Sequence, residues 1–361
     1  MAQLKCLTPH EAIYVGTVKS ILYCVDPPDR LRQAVIMGMD INVLQDLKDS
    51  NHMFRNILSA LHTACIRGHY HVVRWLLRAF PSHIPRIDHL NNILIDTCSK
   101  GHLAIVQFLI HTFPCLKNYE CNYFEIFFRA CYNNQVHIAQ WLLSMRVEHR
   151  PFFFTQLLIN ACHNGYIRII QMIIKICHPV DSWLYEKAFY VACQNGYLNV
   201  AQWLYIHCLK NQEYRVNDEL LPDVCCKGYL HMAQWLVRTF TPNIDPCAQN
   251  NAAFRWSCEY GHLQVAQWLV WRFPDIDHRA YDDCAFIQAC LNGHLRVVRW
   301  LVDTYPNTIT YRMCNVAFDA MSKEYDGLHK VYQTRIKLVI RWLVRMYPEL
   351  KSHPFYSTIV W

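Results

Sequence analysis

The sequence predicts an all-α solenoid of stacked helix–turn–helix units, and two observations carry that prediction. The first is a constant period. Similar segments recur as "ACIRGHYHVVRWLL" around Gly68, "TCSKGHLAIVQFLI" around Gly101, "ACYNNQVHIAQWLL" around Asn134 and "ACHNGYIRIIQMII" around Gly165. They continue as "ACQNGYLNVAQWLY" around Gly196, "VCCKGYLHMAQWLV" around Gly228, "SCEYGHLQVAQWLV" around Gly261 and "ACLNGHLRVVRWLV" around Gly293. The anchors stand 33, 33, 31, 31, 32, 33 and 32 residues apart, the mark of a repeat array. The second is helical spacing of apolar residues on both sides of every anchor.

Each unit has the same parts in the same order. Seven residues before the anchor stands a large residue: Leu61, Leu94, Phe127, Leu158, Phe189, Leu221, Phe254 or Phe286. Four before it stands a mostly small one, such as Ala64, Ala130, Ala192 or Ala289. That offset puts both on one face of a first helix. The anchor then turns the chain, and Asn134 is the replacement that best tolerates positive φ. A second helix follows, and a proline stops it in six units: Pro81, Pro114, Pro179, Pro242, Pro274 and Pro306.

The ends depart from the pattern. Residues 1–56 are expected to form a cap containing a worn unit around Gly38, "LRQAVIMGMDINVLQDL". Residues 57–306 hold the eight clear units. Residues 307–361 hold a last unit, "RIKLVIRWLVRMYP", parted from its first helix by the insert "SKEYDGLHKVYQT", and a closing cap. Terminal units must end the stack without exposing its core.

Composition narrows the classes of function. The chain has 361 residues, 53% of them hydrophobic and 17% charged, so it is not a disordered chain. A net charge of +7 without any block of like charges supports nucleic-acid binding only weakly. No uninterrupted apolar run is long enough to span a membrane, and the polar-broken start does not read as a signal peptide. With 18 Cys, the expectation is an intracellular, cytoplasmic protein whose thiols are reduced. There is no phosphate-binding loop, nucleophile elbow or zinc-protease motif, so neither an enzyme, a cofactor nor a small-molecule substrate is expected.

The small-x-x-x-Gly-His run ("ACLNGHL", "SCEYGHL"), the Val-Val or Val-Ala before Leu, and "LHTA" at Leu61 to Ala64 resemble the ankyrin repeat. The resemblance implies an ankyrin-like solenoid whose role is protein–protein binding along a concave face. Its "GHL-VAQWL" flavour is similar to divergent arrays abundant in large DNA viruses and protists, which would place it in the host-cell cytoplasm. Pro-containing loops such as "FPDID" and "FTPNID" replace the family's hairpin between units, so reduced β-hairpin fingers are expected.

A cysteine stands three residues before every anchor: Cys65, Cys98, Cys131, Cys162, Cys193, Cys225, Cys258 and Cys290. In four units a histidine follows at Cys-x-x-x-His spacing. Helices stacked about 8–10 Å apart cannot bring equivalent cysteines to the ~2.3 Å a shared zinc needs. The histidine position is elsewhere Gln135, Tyr166, Tyr197 or Tyr229, which no metal ligand would allow. The column therefore reads as core, with Cys226 the accessible exception and no metal site. The histidine reads as the start of the second helix, bonding nearby backbone. The recurring Trp (Trp75, Trp141, Trp203, Trp235, Trp268, Trp300, Trp342) reads as buried packing between units rather than as an aromatic cage for a ligand. The polar residue before it reads as a solvated face.

Partner contacts are sought where units differ against a constant frame. The resemblance places the two residues before the glycine on the concave side, with a further column five before it. The candidates are Arg67, Lys100, Arg129, Tyr132, His163, Gln194, Lys227, Trp256, Glu259 and Tyr260. Trp256 and Tyr260 are the expected anchors, because binding hot spots favour Trp, Tyr and Arg. The function expected is a scaffold for a partner protein. The alternative is a substrate-capturing adaptor for a ubiquitin ligase, for which "LTPHEAIYVGTVKSIL" (Leu7 to Leu22) would be the recruiting segment.

Overall fold

The computed structural model describes residues 30–49, 57–83, 85–117, 120–145, 151–176, 182–210, 214–241 and 243–359. The segment Leu7 to Leu22 and the stop residues Pro179 and Pro242 lie outside the described residues. The chain divides into two compact units, residues 1–161 with 168–177, and residues 162–167 with 178–361.

The first unit opens with α1 (Arg30–Ile36) and α2 (Ile41–Asp49) around Gly38. The pairs α3 (Ile57–Arg67) and α4 (Tyr70–Ala79), α5 (Ile87–Lys100) and α6 (Leu103–Thr112), and α7 (Glu120–Tyr132) and α8 (Val136–Ser144) follow. Helices α9 (Pro151–Asn164) and α10 (Ile167–Ile176) come next. The second unit continues with α11 (Ser182–Gln194) and α12 (Leu198–Leu204), α13 (Leu220–Cys226) and α14 (Leu230–Phe240), and α15 (Ala248–Glu259) and α16 (Leu263–Arg272). It closes with α17 (Ala280–Leu291) and α18 (Leu295–Thr304), α19 (Tyr311–Glu324) and α20 (Lys330–Met346), and α21 (Pro354–Thr358). No strand occurs among the described residues. From α1 to α7, and from α11 to α19, successive first helices stack on one another and each packs on its own second helix.

The turn has one geometry in every pair but the last, α19 and α20. The anchors are left-handed, from Gly38 (φ 68°) to Gly101 (φ 89°), with Asn134 at 60°. The residue after the anchor donates its N–H to the carbonyl four before the anchor, as His102 does to Thr97 and Gln135 to Ala130. That closes the first helix in the Schellman manner. Second helices α4, α6, α16, α18 and α20 end where an aromatic precedes proline. In Phe80, Phe113 and Phe273, ψ lies between 59° and 89°, off the helical value, because the proline ring clashes with a helical predecessor.

All eight cysteines of the column are buried. Burial raises their thiol pKa values, that of Cys65 to about 12, and the other seven are raised by the same cause. They serve as small apolar side chains. Cys226 departs from expectation. It is half-buried, its Sγ donates to the Asp223 carbonyl at 3.1 Å, and burial raises its pKa.

The tryptophan column is half-buried rather than buried. Four rings stand edge-on to the aromatic that ends their own helix, Trp75 on Phe80 at 5.9 Å, Trp235 on Phe240 at 6.0 Å, Trp268 on Phe273 at 6.1 Å and Trp300 on Tyr305 at 6.5 Å, whereas Trp203 stacks face-on with His207 at 4.6 Å. Two also reach the preceding first helix, Trp235 to Phe189 at 6.1 Å and Trp300 to Phe254 at 6.4 Å. The column clamps the helix end as well as joining repeats, and its rims face solvent. The polar column is mixed: Gln107, Gln140, Gln171, Gln267 and Arg299 are exposed, whereas Arg74, Gln202 and Gln234 are half-buried.

Two segments break the expected regularity. Gln249–Asn251 and Tyr281–Asp283 occupy equivalent places at the starts of α15 and α17, and all six residues are left-handed, with φ from 53° to 60°. Arg255 joins them. Its guanidinium donates to the Asn250 and Gln249 carbonyls at 2.8 and 3.1 Å and lies 4.8 Å from the Tyr281 ring centroid. The C-terminal insert is mostly helical. It extends α19 to Glu324 and starts α20 at Lys330, five residues before the repeat pattern resumes at Arg335.

Candidate functional site

The histidine position sets the frame on which the candidate residues sit. His102 starts α6 and places its Nε2 3.0 Å from the carbonyl of Ile66, in the preceding repeat. Gln135 does the same one repeat on, donating to the Ser99 carbonyl at 3.3 Å. In the second unit the rings of His262 and His294 hydrogen-bond the backbone of Cys226 and Glu259. Each of these side chains also lies against the preceding glycine. A Cβ on Gly228 would stand 2.4 Å from His262 Nδ1, and one on Gly261 2.4 Å from His294 Nδ1. Tyr197 and Tyr229 cover Gly165 and Gly196 in the same way. A flat side chain with a polar tip suits the position, and the array fills it with His, Tyr or, at Gln135, a planar amide. The partner is the neighbouring repeat's backbone.

This stitch responds to pH. Burial lowers the pKa of His262 and His294 below the ordinary 6.5, so the fold favours the neutral ring at both. A group whose folded pKa is depressed in this way binds its proton more readily in the unfolded chain. Its contribution is fully present above pH 6.5 and is lost as pH falls through the window beneath it. Denaturant melts at pH 7.5 and 5.5 are expected to show lower stability at the acid value. The double variant His262→Tyr with His294→Tyr, using the array's own substitute, is expected to shrink that difference. An unchanged difference would remove these two histidines as its source.

In the first unit Arg67, Lys100 and Arg129 lie in the last turns of α3, α5 and α7 and are exposed. Cations there also complement the helix dipole. Arg129 is engaged, its Nε 2.7 Å from Glu125 Oε1. Tyr132 is 45% exposed and stacks on Phe128 at 6.1 Å. His62 and Asp96, 2.8 Å apart, tie α3 to α5 on the same surface.

In the second unit His163 is exposed at the end of α9. Gln194 and Lys227 are tied up within the stack. Gln194 Nε2 donates to Asp223 at 2.7 Å, Tyr190 Oη donates to the same carboxylate at 2.5 Å, and Lys227 Nζ donates to the Gln194 carbonyl at 2.8 Å. Burial, then the bond to Asp223, raises the Tyr190 pKa. Tyr260 is 55% exposed, and Trp256, one turn before it on α15, is half-buried. Glu259 lies between them in sequence, half-buried, with its carboxyl pKa raised by burial. The charge of Glu259 in turn raises the Tyr260 phenol.

Two assumptions about the varying columns need correction. Leu291, two before its glycine, is buried, and so is Thr63, five before its own, whose hydroxyl donates to the Ser59 carbonyl at 2.7 Å. The columns therefore mix surface and packing positions. Trp256 and Trp268 are both half-buried, so their alanine variants should differ in stability less than column variation alone implies. Sequence reading also missed Asp223 and Tyr190 as a network, because their spacing of 33 residues joins different repeats. No group of three or more His, Cys, Asp or Glu among the described residues could hold a metal ion. No helix among them is long and apolar enough to cross a membrane.

None of the curated proteins matches the chain. The family profile described as "Ankyrin repeats (3 copies)" matches residues 10–123 and 221–312, together more than half of the sequence. The matched regions hold the same glycine turns and helix pairs described above. The chain belongs to the ankyrin-repeat family.

Proposed function

We propose that the chain is a non-enzymatic scaffold that binds a partner protein on the face formed by the C-terminal ends of its first helices. Ankyrin repeats generally mediate protein–protein interaction. The observation that carries the reading here is Tyr260, 55% exposed beside half-buried Trp256. The same columns hold Asn292 and Gln288 in the next repeat, so the fold does not demand aromatics there. Large amphipathic rings at a surface suit a contact anchor.

The test begins with affinity capture and mass spectrometry, followed by a direct binding assay on what is recovered. Trp256→Ala with Tyr260→Ala is expected to weaken binding by at least about 30-fold, the loss of one hot spot. Stability should fall by about 1 kcal/mol, as is usual for such changes. Undiminished binding by the double variant would show that the partner lies elsewhere. Recovery of ligase subunits would support the adaptor reading, and RNase-sensitive recovery a nucleic-acid role.

A further inference from the structure

The chain is basic overall, at +7, yet one cavity reverses that sign. It lies where the loop entering α17 meets the N-terminal halves of α17 and α19, and its volume is about 540 Å³. Drug-sized sites run from about 300 to 1,000 Å³, so there is room for a long side chain and its flanking backbone. Three carboxylates line it, Asp277, Asp282 and Asp283, against the single cation Arg279. Arg279 is already engaged, its Nε 3.1 Å from Asp283 Oδ1 and its backbone N–H donating to Asp277 Oδ1 at 2.9 Å. Asp282 is exposed. The cavity thus carries an excess of negative charge.

The remaining lining is apolar: Ile287, Met313 and Val316. Val316 is 51% exposed on α19, an open apolar surface beside an acidic rim. The cavity lies on the first helices α17 and α19 toward their N-terminal ends, away from the C-terminal ends proposed above for partner binding, so an extended segment is needed to reach both. Few occupants satisfy both halves of such a site. A metal ion would leave the apolar floor unused. An apolar side chain would leave the carboxylates facing it without a countercharge. A long cationic side chain covers the floor with its methylenes and brings its charge to the rim. A guanidinium suits paired carboxylates better than an ammonium, because its planar fork bonds them bidentately.

We propose that this cavity receives an arginine side chain from a basic, extended segment of the partner protein. The proposal rests on the scaffold reading and supplies the chemistry of the partner. Methyl-labelled full-length protein provides the test, since Ile287, Met313 and Val316 all carry reporter methyls. The probe is acetyl-Gly-Arg-Gly-amide, and the control is the same peptide with citrulline, which keeps the shape and lacks the charge. The arginine peptide is expected to shift these methyls saturably in the millimolar range, and citrulline to bind at least about tenfold more weakly. Asp282→Asn should remove the preference for arginine without disturbing the fold, because asparagine tolerates the left-handed backbone there. Equal binding of the two peptides would overturn the proposal. So would calcium alone producing the same methyl shifts at lower concentration. If Asp282→Asn leaves capture of the partner unchanged while Trp256→Ala with Tyr260→Ala abolishes it, the arginine site falls and the scaffold stands.

Discussion

Gly293→Ala is expected to destabilise the protein by about 2–5 kcal/mol. Two costs add. Gly293 has φ +70°, where a side chain costs about 1–2 kcal/mol. A Cβ there would also meet atoms that cannot give way: Arg335 Cβ at 2.4 Å, Arg335 C at 2.9 Å and Ile336 N at 3.0 Å. Two of these are backbone in α20, so the helix itself must move, at about 1–3 kcal/mol for such overpacking. Gly38→Ala shares the left-handed turn, but its nearest atom would be His69 Cε1 at 3.2 Å, so its loss should be smaller. Gly327→Ala meets nothing within 4 Å and should stay within about 0.5 kcal/mol of the parent. Urea melts of the three variants measure the series. Equal stability of Gly293→Ala and Gly327→Ala would refute the close approach of α20.

Phe189→Ala is the second large effect, at about 3–5 kcal/mol for a buried Phe. Phe189 is fully buried and is the hub of an aromatic group, with Tyr214 at 5.4 Å, Phe240 at 5.9 Å and Trp235 at 6.1 Å, none of them face-on. Its partners lie in the following loop and on α14, so the truncation opens a void between repeats. In a linear stack each repeat is held only by its neighbours. Hydrogen exchange should therefore quicken in α11 to α14 before it quickens in α18. Uniform loss of protection across the whole second unit would show instead that it unfolds as one block.

The array was readable because its period and its turn residue are local facts. Gly at a fixed interval, a small residue four before it and proline after the second helix each act within one repeat. Asn134 could be recognised as a stand-in because few residues other than glycine accept φ 60°. The turns at Gln249–Asn251 and Tyr281–Asp283 escaped notice because neither contains a glycine. The π-helical turn at Tyr205–Leu209, which continues α12, follows an apparently ordinary "AQWL". The candidate face was only partly legible, since column variation does not separate solvent from packing. Leu291 and Thr63 vary yet are buried, and Gln194 and Lys227 vary yet serve their own neighbours. Side-chain bonds such as those of Gln194 and Tyr190 to Asp223 cross from one repeat to the next and leave no mark within either.

The ring laid on the preceding glycine gives the stack a polarity. A repeat supplies a bare glycine and a carbonyl at one edge, and a ring at the other, as Gly228 and Cys226 do for His262. One copied whole, from ring to glycine, can be spliced between two neighbours already joined in this way and find both halves of its joint waiting. Lengthening or shortening the gene by whole periods therefore preserves every seam, whereas a cut within a period strands a ring without its seat.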